Sequence, residues 1–271
     1  MSNHRVQWYR LQLLLSLLAF GACAPSHQLT RHNWTPQGTA AGALVLAQSE
    51  LTSFEDLTAE AKITIRQGRT RRTVTASILY RRPDLFRVDV RGPLYSHLLS
   101  MLLRGTHVTA LGGETWQGQD AGFLLSKLTA FELGDYDLRY ALLGLLSPLE
   151  DGNMATQSAL RINEITYPRA DRAVVELQDG TGNIRQRLVW IDLQSGFVFR
   201  EQLRAHNSTV WTRELADYIE LETASGPVYL PRKIIFEQGD VGVELSYKNY
   251  RVDEGLSAKT IAAGFPPPPS W

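Results

Sequence analysis

The feature that most constrains the fold of this chain is a long series of alternating apolar and polar residues, interrupted by short turn sequences. In residues 73–80 and 241–247, every second side chain is apolar, as expected for strands with one buried face. The turns, such as Asp179-Gly180 and Gly239-Asp240, leave no room for crossover helices. The sheet should therefore be antiparallel. We predict strands at residues 62–67, 73–80, 86–91, 172–178, 184–192, 196–204, 210–221, 228–238 and 241–251.

Two segments have the spacing of helices instead. Residues 42–57 predict a short helix whose buried face carries Leu44, Leu51, Phe54 and Leu57. Residues 121–146 predict two helices that divide near Gly134, and Pro148 ends the second. Helices before and within a series of strands indicate one sheet that curls around them, and hence one domain.

The N-terminus has the pattern of a bacterial secretion signal. Arg5 and Arg10 precede an apolar run at residues 11–22, which is too short to cross a bilayer. The run ends in Phe20-Gly21-Ala22-Cys23, which resembles a lipobox, where the chain is cut before a diacylated cysteine. Cys23 is thus the expected lipid anchor; the alternatives are a buried small apolar residue or a chance cysteine in a cleaved signal. Ala24, rather than the Asp that retains lipoproteins at the inner membrane, predicts the periplasmic face of the outer membrane.

The sequence therefore divides into four parts. Residues 1–22 are the predicted signal peptide, and residues 23–41 the acylated cysteine with a flexible tether. Residues 42–260 are the folded domain, and residues 261–271 a Pro-rich tail.

Composition and motifs exclude several classes of function. The formal net charge is zero, whereas a nucleic-acid-binding domain should carry a basic excess. Cys23 is the only cysteine, so no internal disulfide can form. The sequence contains no GxSxG, HExxH or phosphate-binding glycine loop, and His97 and His107 are poorly spaced for a metal site. We expect no enzyme, no metal and no cofactor.

Two neighbouring segments are candidates for function. Residues 62–91 carry nine lysines and arginines against two aspartates, which indicates a solvated sheet face or a surface for anionic lipid head groups. Residues 92–104 (GPLYSHLLSMLLR) are densely apolar and predict a short helix or a buried strand. If the turn at their start projects, Leu94 and Tyr95 are exposed apolar groups of the kind that contact membranes or partners.

These segments carry a family resemblance. Residues 86–94 (FRVDVRGPL), the apolar strand after them and residues 106–111 (THVTAL) resemble the central hairpin of the LolA/LolB family of lipoprotein-sorting proteins. The predicted helices at 121–146 and the strand at 160–167 (LRINEITY) match later parts of the same family in order. Gly92 and Tyr95 stand where the outer-membrane receptors of the family have Asn and Gly.

The resemblance implies a mainly β fold, an open and strongly curved antiparallel half-barrel of about eleven strands with helices covering its concave face. It implies an outer-membrane lipoprotein that binds acyl chains or lipoproteins in an apolar cavity and assists their insertion into the membrane. Expected partners are acylated lipoproteins or lipid, a LolA-type periplasmic carrier and the outer membrane, with the protein itself a monomer. Leu94 would be the projecting membrane or cargo contact, with Tyr95 beside it. The cavity side of the helical lid would carry Phe123, Leu128, Leu142 and Leu145.

The residues alone leave two other functions open. The same fold with a filled interior would serve as an envelope scaffold or a protein-binding lipoprotein. Carboxylates or histidines clustered in a cleft would instead indicate an enzyme that acts on an envelope polymer.

Overall fold

A computed structural model describes residues 29–32, 34–35, 38–113, 115–118, 131, 137–146, 160–179, 185–205 and 208–267. Its dominant element is one antiparallel sheet, which is not closed into a barrel. The order is β6-β5-β4-β3-β2-β1-β13-β12-β11-β10-β9-β8-β7. The strands are β1 (Asp56–Gln67), β2 (Thr70–Arg81), β3 (Leu85–Arg91), β4 (His97–Arg104), β5 (His107–Leu111), β6 (Thr115–Gly118), β7 (Leu160–Arg169), β8 (Arg172–Asp179), β9 (Arg185–Asp192), β10 (Phe197–Ala205), β11 (Ser208–Thr223), β12 (Gly226–Gln238) and β13 (Val241–Val252).

The predicted fold class is confirmed, with thirteen strands in the described residues rather than about eleven. The sheet grows in both directions from its centre, because the first strand, β1, pairs with the last, β13. Consequently β6 and β7, which are neighbours in the chain, form the two outer edges. Of the segment that joins them, the described residues 131 and 137–146 pack on the concave face.

The core lies on the concave face of the sheet. Residues that pair directly across strands share a face, and Ile63 lies opposite Val74 on one side and Leu245 on the other. The same face continues through Ile78 and Val88 to the outer strands. A period of two along each strand therefore produces one continuous apolar surface.

Three helices accompany the sheet in the described residues: α1 (Ala40–Ser49), α2 (Leu138–Leu143) and α3 (Ala258–Ile261). Helix α1 packs on β8, β9 and β10, and α2 packs on β12. The buried side chains of both helices belong to the core of the concave face. Helix α3 packs instead on β2 and β3, where the outward-facing Arg87 donates to the carbonyls of Ile261 at 3.0 Å and Ala263 at 2.8 Å.

Several predicted boundaries need correction. The helix predicted over residues 42–57 ends at Ser49, a 3₁₀ turn follows at Glu50–Thr52, and Leu57 already belongs to β1. The reason is strand pairing, since Leu57 lies opposite both Val252 and Tyr80. Residues 261–267, assigned to the tail, lie beside the sheet, with Ile261 fully buried. Of the two helices predicted over residues 121–146, only α2 falls in the described residues, from 138 to 143.

The strand turns gather at two opposite ends of the sheet. The turns at residues 67–70 and 239–240 lie at one end, as the pairing of Gln67 with Thr70 and Val241 requires. The turn at residues 92–96 faces the same way and begins where Arg91 pairs with Thr75. We call this end the Leu94 rim. The turns at residues 82–84, 193–196 and 224–225 form the opposite rim.

Candidate functional site

An apolar cleft of about 240 Å³ lies on the concave face, between α2 and the strands at the centre of the sheet. Fifteen of the sixteen described residues that line it are apolar, and the remaining one is Arg72. The lining consists of Ile63, Ile65, Arg72, Val74, Val88, Val90, Leu98, Leu99, Met101, Phe131, Leu138, Ala141, Leu142, Phe236, Val243 and Leu245. An apolar cavity with a single polar group suits an apolar ligand with one polar end.

The cleft has a buried floor and an exposed mouth. Val88, Phe236 and Leu245 at the floor are buried. At the mouth, Arg72 is exposed and Leu98 keeps 48% of its surface accessible. Arg72 and Leu98 lie next to the turns at residues 67–70 and 92–96, so the cleft opens at the Leu94 rim.

The turn between β3 and β4 presents Leu94 to solvent. The N–H of Gly92 donates to the carbonyl of Ser96 at 2.8 Å, and the Ser96 hydroxyl donates to the carbonyl of Pro93 at 3.0 Å, which closes the turn. Leu94 has left-handed backbone angles, φ 57° and ψ 29°, and 98% of its surface is exposed. A leucine in this conformation is strained by roughly 1–2 kcal/mol. The structure places the backbone of Tyr95 in the same turn, while its side chain lies outside the described residues.

Helix α2 covers one side of the cleft, and its end is held by the sheet. Asp137 caps the start by accepting from the N–H of Arg139 at 2.8 Å, and Gly144 ends the helix in the left-handed region. The Tyr247 hydroxyl donates to the carbonyl of Leu142. Burial raises the pKa of Tyr247, so the phenol stays protonated and remains a donor.

The four predicted lid residues fall in different places. Leu142 lines the cleft and Leu145 is buried beside it without lining it. Phe123 and Leu128 lie outside the described residues. Phe131, which belongs to the apolar positions of the predicted helical segment but was not among the predicted cavity residues, lines the cleft and packs edge-on against Phe236 with ring centroids 5.3 Å apart.

A fully buried ion pair lies under the end of α2. The guanidinium of Arg213 on β11 is 2.5 Å from the carboxylate of Glu201 on β10, and neither side chain is exposed. Arg213 also donates to the carbonyls of Tyr140 and Leu145, both at 3.0 Å. Arg187 contributes a second cation, 3.3 Å from Glu201. Arg213 therefore ties two carbonyls at the C-terminal end of α2 to the sheet.

Sequence reasoning missed this ion pair, although it left a signal. On β11, Trp211 and Leu215 face the core. Arg213 is two residues from each of them, so its side chain belongs to the same face of the strand. A charged residue at an apolar position of a strand is rarely buried unless it is paired. The position of Arg213 on the core-facing side of a predicted strand could therefore have marked it as a buried, paired charge from the sequence alone.

The segment before α1 docks at the opposite rim and corrects the predicted extent of the tether. The N–H of Arg31 donates to the carbonyl of Ser195 at 3.1 Å, and the Trp34 indole donates to the carbonyl of Leu193 at 2.9 Å. The Arg31 guanidinium forms a buried ion pair with Glu50. Burial raises the pKa of Glu50, although Arg31 and the N–H of Tyr229 oppose the rise. Residues 31–39, which we call the strap, are thus tied to the body rather than free at the described positions.

The basic residues of segment 62–91 do not form one surface. Arg66, Arg71 and Arg72 lie beside the turn at the Leu94 rim, and Arg66 is 3.3 Å from Glu237. Arg87 is held by Asp89 at 2.8 Å under the C-terminal segment, and Arg82 lies at the opposite rim. The hypothesis of a lipid-facing surface therefore applies only to the residues of the Leu94 rim.

Catalytic and metal-binding arrangements are the remaining candidates for a site. In the part of the chain that the structure describes, no group of three or more His, Cys, Asp or Glu residues could hold a metal ion. His97, Ser100 and Asp89 are linked on the convex face, with His97 2.8 Å from the Ser100 hydroxyl. The Ser100 hydroxyl donates to Asp89, so the carboxylate does not orient the histidine as a triad requires.

Among the described helices, none is long and apolar enough to span a membrane.

Comparison with family models and with curated protein sequences finds no match. Solved structures are similar in fold. A LolA superfamily protein from Nitrosomonas europaea superposes with a TM-score of 0.54 at 11% identity, over 83% of this chain and 97% of that one. A DUF1329 family protein from Desulfovibrio piger gives 0.57 at 14% identity, over 82% and 96%. A domain of a putative outer membrane lipoprotein-sorting protein from Vibrio parahaemolyticus gives 0.52 at 12% identity, over 82% and 97%.

These similarities assign the architecture. The chain has a LolA-like fold, as the sequence resemblance implied. At such identities the comparison concerns the fold alone.

Proposed function

We propose that this protein binds acyl chains of lipids or lipoproteins in the apolar cleft and assists their insertion into the outer membrane. The observation that carries the proposal is that the cleft opens at the same rim as the exposed Leu94. The LolA-like fold supports it, and two of the similar structures are described as a LolA superfamily protein and a lipoprotein-sorting domain. The proposed role needs no catalysis, only movement of a chain between apolar surroundings.

The size of the cleft is consistent with reversible binding. Its volume of about 240 Å³ holds about eight methylene groups, if each fills roughly the 30 Å³ share of a water molecule. At about 0.8 kcal/mol per buried methylene, the chain gains about 6 kcal/mol. That gain favours capture from water, yet it is smaller than what a full-length chain gains in a bilayer. Transfer into the membrane is then downhill.

Leu94 supplies the membrane contact in this proposal. Burying a leucine side chain in an apolar medium stabilises the bound state by about 1.5–3 kcal/mol. Leu94 is strained and 98% exposed, so packing does not explain a leucine at this position. Contact between Leu94 and the bilayer would bring the mouth of the cleft to the membrane surface.

The proposed anchor at Cys23 sets a limit on geometry. The eight residues from Cys23 to Arg31 span at most about 28 Å, and Arg31 docks at the opposite rim. Arg91, next to the Leu94 turn, pairs with Thr75, and Thr75 pairs with Lys62 in the middle of β1. The turn therefore begins roughly 20 Å along the sheet from the start of β1 at Asp56. A link of this length allows Leu94 to reach the bilayer that holds Cys23 while the strap stays docked.

Uptake from a loaded carrier tests the proposed function. The chain lacking residues 1–23 is mixed with a LolA-type carrier that holds an acylated lipoprotein, and the cargo on each protein is measured after separation. We expect transfer to the wild-type chain and little to Ala141→Phe, because Ala141 is buried and lines the cleft. A matched control is Val45→Phe, which places the same aromatic ring at an exposed position of α1.

If the wild-type chain takes up no cargo, the transfer role is wrong. The scaffold function, with a filled interior and a protein-binding surface, would then be the better explanation. If Ala141→Phe takes up as much cargo as wild type, the cleft is not the binding site.

A further inference from the structure

Among the described residues that line the cleft, Arg72 is the charged one, and its position suggests what kind of molecule the cleft holds. Arg72 lies opposite Ile65 in the β1–β2 pairing and shares the concave face with Val74. Its neighbour Arg71 lies opposite Arg66 and belongs to the convex face, because consecutive side chains of a strand alternate. Only Arg72, of these arginines, lines the cleft.

We propose that the ligand is an amphiphile with one acyl chain and an anionic head group, a carboxylate or a phosphate, that binds Arg72. This inference rests on the proposed function and specifies the ligand of the same site. An arginine presents a planar fork of N–H donors that matches both kinds of anion. Fifteen apolar residues below it would hold the chain.

The volume of the cleft sets the number of chains. A space of about 240 Å³ accommodates about eight methylene groups at roughly 30 Å³ each. One chain of medium length, or the first part of a longer one, fills that space. Two chains side by side would each insert only about four methylene groups, and Arg72, the charged residue among those that line the cleft, can pair with one head group.

Photo-crosslinking in a membrane tests this proposal with the full chain. The protein is reconstituted in phosphatidylcholine vesicles, which carry no net charge, and three probes with a diazirine at the tail of a ten-carbon chain are added. The probes are decanoic acid, decyl phosphate and decanol, which differ only in the head group. Labelled peptides are mapped by mass spectrometry at β3 (Leu85–Arg91) and α2 (Leu138–Leu143), and intact mass gives the number of adducts.

The anionic probes are expected to label the cleft of the wild-type protein once per chain. Arg72→Gln should reduce labelling by decanoic acid or decyl phosphate about tenfold, as expected for loss of a hydrogen bond to a charged group, and leave labelling by decanol unchanged. Arg72→Lys should keep part of the anionic labelling. Arg71→Gln is the matched control, with the same change of charge one residue away on the convex face. Arg72 is exposed, so these variants should fold, and circular dichroism checks this.

The contradicting results are distinct. If the cleft is labelled equally in wild type and Arg72→Gln by the anionic probes, the head-group inference is wrong and the proposed function stands. Two cleft adducts per chain would overturn the single-chain inference. Excess inorganic phosphate should lower labelling by the anionic probes no further than Arg72→Gln does, because the free anion competes only for Arg72; loss of all labelling, including that by decanol, would overturn the proposal. If no probe labels the cleft, both the inference and the proposed function fail.

Discussion

Replacing Leu94 by asparagine separates the stability of the turn from its proposed contact with the membrane. Leu94 has φ 57°, and 98% of its surface is accessible. Asparagine adopts left-handed angles more readily than leucine. Leu94→Asn should therefore stabilise the fold by about 1 kcal/mol, since it relieves strain of roughly 1–2 kcal/mol and removes little packing.

The effect on membrane association should have the opposite sign. Removing a leucine that inserts in the bilayer costs about 1.5–3 kcal/mol of binding free energy. Partitioning onto vesicles should then fall by about ten- to one-hundred-fold, because 1.4 kcal/mol corresponds to a factor of ten. A variant that is more stable and binds less would show that the strain is kept for function.

Two measurements on the same preparations of the chain lacking residues 1–23 check this prediction. Urea unfolding gives the free energy of unfolding, and flotation with vesicles gives the bound fraction without the lipid anchor. Leu94→Glu is expected to abolish flotation, and the control Val45→Asn, at an exposed residue of α1, to leave it unchanged. Unaltered flotation of Leu94→Asn would refute the membrane role. If Leu94→Asn lowers the free energy of unfolding by about 1 kcal/mol or more, the claim that the backbone of Leu94 is strained is wrong.

Three further predictions concern the ion pairs and the anchor. Glu201→Gln should lower the free energy of unfolding in urea by about 3–5 kcal/mol, because it leaves the buried Arg213 without its carboxylate; a loss below 1 kcal/mol would contradict this. Arg31→Ala should make the strap sensitive to protease, and its destabilising effect should shrink as the pH falls toward 4.5, because the buried Glu50 carboxyl then takes up a proton in the folded state more readily than in the unfolded state; an equal effect at all pH values would count against it. Cys23→Ala should abolish metabolic labelling with palmitate, and persistent labelling would rule out Cys23 as the anchor.

The alternation of apolar and polar residues along the strands made most of the fold predictable from the sequence. The alternation in residues 73–80 and 241–247 identified β2 and β13 and the face that each buries, because a period of two has one structural meaning. Residues 92–104 had two interpretations, a helix or a buried strand. The structure shows a strand, β4, which pairs with β3 and β5. A strand that is buried on both faces is apolar throughout, so its sequence lacks the alternation that would distinguish it from a buried helix.

Other features depend on contacts that are distant in sequence. The strap looked like a tether because its sequence is polar and rich in small residues, yet Arg31 and Trp34 dock on carbonyls more than 150 residues away. The helix predicted to reach Leu57 is cut short by pairing with β13, at the other end of the chain. Local composition carries no record of such partners.

The candidate site was predictable only in part. The Gly-Pro-Leu-Tyr turn indicated Leu94 through its resemblance to a known hairpin, and the structure places that leucine in solvent. The role of Arg72 at the mouth required the register of β1 and β2, because the predicted strand began at residue 73 and left Arg72 in the turn, although it shares the alternate positions of Val74. The cleft could not be predicted from the sequence, because its existence depends on where α2 packs over the sheet and how much space the side chains between them leave.

The most direct test of the account is to locate an acyl chain bound to the protein. Nuclear magnetic resonance of methyl-labelled protein with decanoate gives contacts between ligand protons and individual methyl groups. We expect contacts from the chain terminus to Val88 and Leu142, which line the cleft away from its mouth. Contacts confined to surface methyl groups such as Val45, or no contacts at all, would contradict the claim that the cleft holds acyl chains.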